Sequence, residues 1–154
     1  MELVIEGKTQ GLKWSAAHVI PNHPKCGRLH GHDYTLDIKI LMPVSVQNMK
    51  TVKEKGYLLD YGDVKKAAKE IIEPLDHKFL VPNSASTKAS TKVGGDRIEY
   101  QEITTPARMA CLLPVEVVSS ENLSLYFKNK MMEAFPDYVI ICKVNEGEGQ
   151  GVWI

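Results

Sequence analysis

An alternation of apolar and polar residues from Asp33 to Leu41 restricts the fold of this chain more than any other feature of its sequence. The apolar members fall on one face: Tyr34, Leu36, Ile38 and Ile40. A period of two over such a run indicates a β-strand with one buried face. The chain must therefore place this strand in a sheet that packs against a core on one side.

Two other segments have the apolar spacing of amphipathic helices. The first is predicted to begin at Asp63 as its N-cap and to reach about Leu75, where Pro74 ends or kinks it. The second is predicted to be capped by Ser119 or Ser120. These helices can cover the apolar face of the sheet.

The remaining segments complete an α+β pattern. We predict an extended segment at 2–17 with a bend near 7–11, a loop at 18–29, a loop or hairpin tip at 43–57, and late strands at 138–144 and 152–154. The order is strand, strand, helix, insertion, helix, strand, strand. It predicts an α+β domain with an antiparallel sheet.

Residues 82–116 form an insertion between the two helices. We predict a polar, flexible linker at 82–92, a strand at about 97–103 and an extended piece at 109–113. Its ~35 residues are too few for a core of their own. The sequence therefore predicts a single domain over residues 1–154, with an inserted linker and hairpin.

Charge and cysteine content exclude several classes of protein. Nineteen basic residues balance nineteen acidic ones, so the chain lacks the basic surface typical of nucleic-acid or anionic-membrane binding. A neutral chain also tends to associate, which favours an oligomer. Three cysteines, no apolar run of roughly 20 residues and no basic leader at the start together predict a cytoplasmic protein.

Histidines are concentrated at the start of the predicted strand. His30 and His32 are two residues apart, so both imidazoles can point to the same side. His18 ends the preceding extended segment, and antiparallel pairing would bring it beside them. Three imidazoles suit Zn²⁺ and leave a fourth tetrahedral position open. The alternative is a chance His-x-His in a surface strand, and His23 is predicted to be exposed and without a role.

Other polar residues are candidates for catalysis, each with a simpler structural interpretation. Cys26, near Lys25 and Arg28, is a candidate base or nucleophile or else a small buried residue. Asp76 can orient His77, if a turn allows the contact, or both can simply be solvated.

The remaining candidate, Glu146, follows a predicted strand. Its carboxylate can accept two hydrogen bonds from an amino-pyrimidinone edge, or it can lie in a solvated turn.

Several motifs occur in one order along the chain: Trp14-Ser15-Ala16-Ala17-His18, Cys26-Gly27-Arg28-Leu29-His30-Gly31-His32, Leu58-Leu59-Asp60-Tyr61, Leu75-Asp76-His77, Ser119-Ser120-Glu121-Asn122-Leu123 and Lys143-Val144-Asn145-Glu146. Together they resemble the 6-pyruvoyltetrahydropterin synthase family. The Cys-x-x-x-His-Gly-His spacing resembles its queuosine-pathway branch, 6-carboxytetrahydropterin synthase, in particular. The resemblance spans nearly the whole chain except about residues 82–116.

The resemblance implies the tunnelling fold: an antiparallel four-stranded sheet with two helices between strand pairs, assembled into a homohexamer of two trimers. It assigns Zn²⁺ to His18, His30 and His32, base chemistry to Cys26, a proton relay to Asp76 and His77, and substrate binding to Glu146, Ser119 and Ser120. Active sites in this family lie between protomers.

The implied reaction converts 7,8-dihydroneopterin triphosphate to 6-carboxy-5,6,7,8-tetrahydropterin, with release of acetaldehyde and triphosphate. Two alternatives remain open. One is a 6-pyruvoyltetrahydropterin synthase, which eliminates triphosphate without carbon–carbon cleavage, so an acetaldehyde assay discriminates. The other is a non-catalytic zinc- or pterin-binding oligomer, and the insertion at 82–116 is the feature that suggests it.

Overall fold

The computed structural model describes residues 1–42 and 44–154, which form a mixed α+β structure. The first half contains β1 (Glu2–Ile5), α1 (Gly7–Gln10), β2 (Lys13–His18), β3 (His30–Leu41), α2 (Val46–Lys55) and α3 (Tyr61–Ile72). The second half contains β4 (Lys78–Pro82), β5 (Lys88–Lys92), β6 (Gly95–Tyr100), β7 (Ile103–Pro106), β8 (Ala110–Leu113), α4 (Ser120–Ala134) and β9 (Val139–Glu146). The α+β class is confirmed.

Strand β3 is the centre of a six-stranded sheet. Its Tyr34 lies between Trp14 of β2 and Glu146 of β9, while Ile38 lies between Ile5 of β1 and Cys142 of β9. Strands β1 and β2 therefore follow one edge of β3, and β9 follows the other, all antiparallel. Strands β4 and β8 extend the sheet beyond β2 in parallel pairing, so the sheet has two more strands than the predicted four.

The predicted apolar face of β3 is confirmed. Tyr34, Leu36 and Ile38 are fully buried, and Ile40 is nearly so. They belong to one core with residues of α3 and α4, including the buried Phe127. Burying each side chain of this size contributes about 1.5–3 kcal/mol, so this face holds both helices against the sheet.

The caps show where the main helices begin. Helix α3 starts earlier than predicted, because the carboxylate of Asp60, rather than Asp63, accepts a hydrogen bond from the Gly62 N–H. Helix α4 is capped as predicted: the Ser119 Oγ accepts from the Asn122 N–H. No helix in the described parts of the chain is long and apolar enough to span a membrane.

Helix α2 occupies most of the segment that was predicted to be a loop or hairpin tip at 43–57. It is capped by the Ser45 side chain and ends at Gly56, whose φ is 80°. The prediction was wrong here because none of the helix's residues is buried, so no apolar stripe marks it. Pro43, also within the predicted loop, lies outside the described residues.

The insertion is a sheet rather than a linker and a hairpin. Strands β5, β6 and β7 form a three-stranded antiparallel sheet, so the linker predicted at 82–92 is wrong. Phe79 and Val81 of β4 pack in a second cluster with Ile98 and Tyr100 of β6, whereas Leu80 belongs to the main core. Because neighbouring residues of a strand point to opposite faces, the inserted sheet covers the face of the main sheet opposite α3 and α4.

The last three residues run alongside β9. Ile154 exchanges two backbone hydrogen bonds with Cys142, at 3.0 and 3.1 Å, and Gly151 forms an isolated bridge with Asn145. The segment predicted as a strand at 152–154 is therefore hydrogen-bonded to the sheet at its end without forming a regular strand.

Candidate metal centre and acid–base pair

Three imidazoles converge at the paired ends of β2 and β3. The register places His18 opposite His30 and Ala16 opposite His32. The Nε2 atoms of His18 and His30 are 3.0 Å apart, and ligand nitrogens of all three rings lie within 4.8 Å of one another. Two imidazole ligands of a tetrahedral Zn²⁺ lie about 3.4 Å apart, so this spacing suits a metal ion.

Two backbone carbonyls orient these rings. The Nδ1 of His18 lies 2.7 Å from the Val118 carbonyl, and the Nδ1 of His30 lies 2.8 Å from the Arg28 carbonyl. A carbonyl only accepts hydrogen bonds, so each Nδ1 carries the proton and each Nε2 presents its lone pair to the cluster. Such outer contacts are typical of metal-binding histidines.

Burial keeps two rings of the cluster in the neutral form. It lowers the pKa of the fully buried His18 to about 4, against the opposing effect of the Val118 carbonyl. Burial also lowers the pKa of His32, and the neighbouring His30 adds to this effect. Neutral imidazole is the form that binds metals, so these rings are ready as ligands at neutral pH.

Glu146, at the end of β9, lies beside the cluster. Its Oε1 is 3.9 Å from the His18 Nε2 and its Oε2 is 4.0 Å from the His32 Nε2. Burial raises the pKa of Glu146, and the nearby Glu121 raises it further, while His30 and the backbone amide of Ser120 oppose the shift. The structure thus brings Glu146 and the start of α4 together with the predicted metal ligands.

Several buried polar atoms at this site have no hydrogen-bond partner among the described residues. They are the Nε2 of His32, the hydroxyl of Tyr34 and Oε1 of Glu146, as well as Nε1 of Trp14. A buried polar group without a partner costs about 1–3 kcal/mol. An imidazole lone pair can bind a metal ion, and a carboxylate oxygen can bind a metal ion or accept a hydrogen bond from a ligand. The residues present therefore fit a bound cation with a polar ligand beside it.

Cys26 lies in the loop that leads from β2 to β3. Its N–H donates to the His23 Nδ1 at 2.9 Å and its carbonyl accepts from the Ile20 N–H at 2.8 Å. In the described residues, the group of converging ligand atoms does not include its sulfur. His23 is exposed as predicted, and its Nδ1 helps to order this loop by accepting the hydrogen bond from Cys26. That His23 has no functional role stays a prediction.

Asp76 and His77 are hydrogen-bonded to each other at the turn before β4. The Asp76 Oδ1 accepts from the Ser15 N–H and from the His77 Nδ1, each at 2.9 Å. The Ser15 amide, and to a smaller extent His77, lower the pKa of Asp76. His77 has a φ of 57°, an uncommon conformation outside glycine that often marks functional residues. The turn required for contact between these neighbours is present.

The pair and the histidine cluster occupy different faces of the main sheet. The rings of His18 and His32 contact Tyr34 on the face covered by α4. His77, whose side chain is 81% exposed, lines a hollow with Ala17 and Phe79 on the opposite face. His32 borders both regions. One chain therefore does not bring all the predicted catalytic residues to one place.

Sequence reasoning overlooked some of the residues that build the cluster. Tyr34 continues the period of two from His30 and His32, so its hydroxyl could have been placed at the site from the pattern. The carbonyls of Val118 and Arg28 carry no such signal, because any residue supplies a carbonyl and only the fold places it.

Comparison with known proteins gives one consistent result. The model of the family described as 6-pyruvoyl tetrahydropterin synthase matches residues 9–154. A Methanocaldococcus jannaschii protein with the provisional name 6-carboxy-5,6,7,8-tetrahydropterin synthase is 30% identical, over 98% of this chain and 94% of that protein. The Rickettsia bellii 6-carboxy-5,6,7,8-tetrahydropterin synthase is 29% identical, over 83% and 79% respectively.

A solved structure shares the fold. The 6-pyruvoyl tetrahydropterin synthase of Plasmodium vivax superposes with a TM-score of 0.79, covering 100% of this chain and 96% of that one at 21% identity. At this identity the likeness concerns the fold alone.

Proposed function

The chain belongs to the 6-pyruvoyl tetrahydropterin synthase family, and we propose that it is a zinc-dependent lyase acting on 7,8-dihydroneopterin triphosphate. One water molecule is consumed, and the products are 6-carboxy-5,6,7,8-tetrahydropterin, acetaldehyde and triphosphate. The convergence of His18, His30 and His32 carries this proposal. The names of the two curated relatives support the 6-carboxy product over the 6-pyruvoyl product.

The three imidazoles would hold Zn²⁺ through their Nε2 atoms, since two Nδ1 atoms are already engaged by backbone carbonyls. Zn²⁺ at this position supplies Lewis acidity toward an oxygen of the substrate side chain. The buried atoms that lack partners support this assignment, because binding satisfies them.

Glu146 would bind the amino-pyrimidinone edge of the pterin. Its carboxylate is half-buried beside the cluster, so a ligand held there lies next to the metal position. The backbone amide of Ser120, at the positive end of α4, favours the ionised form of this carboxylate. Ser119 and Ser120 then form the edge of the binding site at the start of that helix.

Cys26 and His77 would move the protons. Cys26 acts as the base that removes a side-chain proton, and His77 exchanges protons with the side-chain oxygens. Because Asp76 accepts from the Nδ1–H of His77, Nε2 is the atom that faces the substrate. Since His77 and the cluster occupy different faces of the sheet, we place each active site between protomers of a homohexamer.

Mass analysis of the products tests the proposal. The pure protein is incubated with 7,8-dihydroneopterin triphosphate, with and without a chelator, and then with added Zn²⁺. We expect a 6-carboxy product, acetaldehyde and triphosphate, lost with chelator and restored by Zn²⁺. Triphosphate release without acetaldehyde favours the 6-pyruvoyl product, and release of neither overturns the lyase.

A further inference from the structure

The inserted sheet borders the hollow in front of His77. This hollow has a volume of about 670 Å³. Its lining includes Ala17, Asp33, His77 and Phe79 from the main sheet and Thr105 and Met109 from the insertion. The insertion therefore reaches the acid–base pair instead of extending only the outside of the molecule.

Several contacts fix this part of the insertion. The ring of Tyr100 packs 6.5 Å from that of Phe79, centroid to centroid. The Nζ of Lys78, next to His77, donates to the Arg108 carbonyl. Met109 is followed directly by β8, which pairs with β4. Thr105 and Met109 thus belong to an anchored wall beside His77.

A second hollow, of about 820 Å³, also borders His77 and differs in charge. Its acidic lining residues are Asp33, Asp37, Asp76 and Glu148, and its basic ones are Lys8, Lys13 and Lys143. Four carboxylates against three ammonium groups repel a polyphosphate, and Lys8 is already paired with Glu148 at 2.6 Å. The hollow beside the insertion has one lysine, Lys78, and one carboxylate, Asp33, in its lining. The other lining residues are apolar side chains such as Phe79 and Met109, the imidazoles of His32 and His77, and the hydroxyl groups of Ser15 and Thr105.

We propose that Thr105 and Met109 are specificity-determining residues that contact the carbon chain attached to the pterin ring. This inference rests on the proposed function, because it takes the substrate of His77 to be a reduced pterin. The carbon chain between the pterin ring and the triphosphate is a short polyol. Such a chain suits a hollow whose two opposite charges balance and whose lining has both apolar and hydroxyl-bearing side chains. The Met109 thioether packs on its carbon atoms, and the Thr105 hydroxyl, without a partner in the described residues, bonds to one of its hydroxyls.

Methionine methyl signals in NMR test the contact without requiring turnover. Met109 is 44% exposed, and Met49 on α2 and Met132 on α4 are matched controls at 41% and 40%. With 7,8-dihydroneopterin as the probe, we expect the Met109 methyl to shift while the two controls stay in place. Binding detected by pterin fluorescence with a stationary Met109 overturns this inference alone. Absence of binding by both 7,8-dihydroneopterin and its triphosphate overturns it together with the proposed function.

Kinetics of the variants then test specificity. We expect Met109→Ala and Thr105→Val to raise KM about three- to tenfold, as loss of one apolar contact or hydrogen bond does. The preference between 7,8-dihydroneopterin and its triphosphate should shift as well, while kcat and bound zinc stay unchanged. Met49→Ala is the control for loss of an exposed methionine. An unchanged KM and an unchanged substrate preference in both variants contradict the proposed role.

Discussion

The histidine cluster and the Asp76–His77 pair lie on different faces of one sheet and differ in how complete they are. In the cluster, His18 is fully buried, and His32 and Glu146 keep buried atoms that lack partners in the described residues. In the pair, Asp76 already accepts hydrogen bonds from Ser15 and His77, and the His77 ring is largely exposed.

The contrast indicates what each region needs. The cluster is organised by its own chain and needs a ligand, because buried polar atoms without partners are costly. The pair is stable without a ligand. Before His77 can transfer a proton, another surface must enclose the pair, because proton transfer is efficient only where the substrate is held within hydrogen-bond reach. In the proposed oligomer, the cluster of one protomer would lie against the pair of another, and a substrate held between them would contact both.

The largest expected effect concerns the cluster alone. His30→Ala removes one of the three proposed zinc ligands. We therefore expect bound zinc to fall from one ion per chain to near zero, with the affinity for zinc reduced more than about 100-fold, since even outer contacts are worth 10–100-fold. Metal analysis after dialysis measures this. His23→Ala is the matched control, because His23 is a loop histidine outside the cluster. Full zinc content in His30→Ala would show that the three histidines do not form the zinc site.

The next-largest expected effect is the loss of activity in variants of His77 and Cys26, and it tests whether the two regions act together. His77→Ala and Cys26→Ala should each lower kcat by about 10²–10⁴-fold, as loss of an acid or base does, with zinc content unchanged. If the two regions meet between protomers, oligomers that are mixed from both inactive variants regain intact sites. At equal amounts about a quarter of the sites are intact in a symmetric oligomer.

Activity assays after unfolding and refolding the two variants together measure this recovery. Cys111→Ala serves as the control for the cysteine substitution, because Cys111 is also half-buried and lies away from the loop that contains Cys26. Mixed oligomers that stay as inactive as either variant contradict a shared site and leave the two regions to act separately.

The cluster was predictable because its signals are local. A period of two places His30, His32 and Tyr34 on one face, whatever the rest of the chain does. The register then adds His18, since an antiparallel pair brings the end of β2 to the start of β3. The Ser119 cap of α4 was predictable for the same reason, because side chain and amide lie three residues apart.

The other regions depend on contacts that the sequence does not display. Helix α2 buries none of its residues, so only its caps, Ser45 and Gly56, mark it. The position of His77 depends on β4, whose parallel pairing with β2 is a long-range contact. Phe79 and Val81 are apolar on the face that the insertion covers, and recognising this required the inserted sheet to be known.

A smaller effect concerns Glu146, which lies near the cluster but is proposed to bind substrate. We expect Glu146→Gln to weaken pterin binding about tenfold or more, because a charge-assisted hydrogen bond contributes about 1.5–3 kcal/mol, and to leave zinc content intact. Fluorescence titration with 7,8-dihydroneopterin and metal analysis measure both. If zinc falls while pterin binding persists, the carboxylate is a fourth metal ligand, as its 3.9 and 4.0 Å distances to two imidazoles would then explain.

The smallest effect concerns stability against pH, and it isolates the pair from the cluster. Hydrogen bonding from the Ser15 amide lowers the pKa of Asp76 in the folded chain. A lowered carboxyl pKa adds stability above the unfolded value of about 3.9, and this stability is lost as pH falls through the folded value. Asp76→Asn lacks this titration, so its deficit in free energy of unfolding relative to the native protein should shrink below about pH 4.

Urea unfolding at fixed protein concentration measures this difference in free energy of unfolding, with the exposed Asp137→Asn as control. A deficit for Asp76→Asn that stays constant from pH 7 to pH 3 would mean that the ionised carboxylate does not stabilise this turn, and that His77 is oriented by the backbone alone.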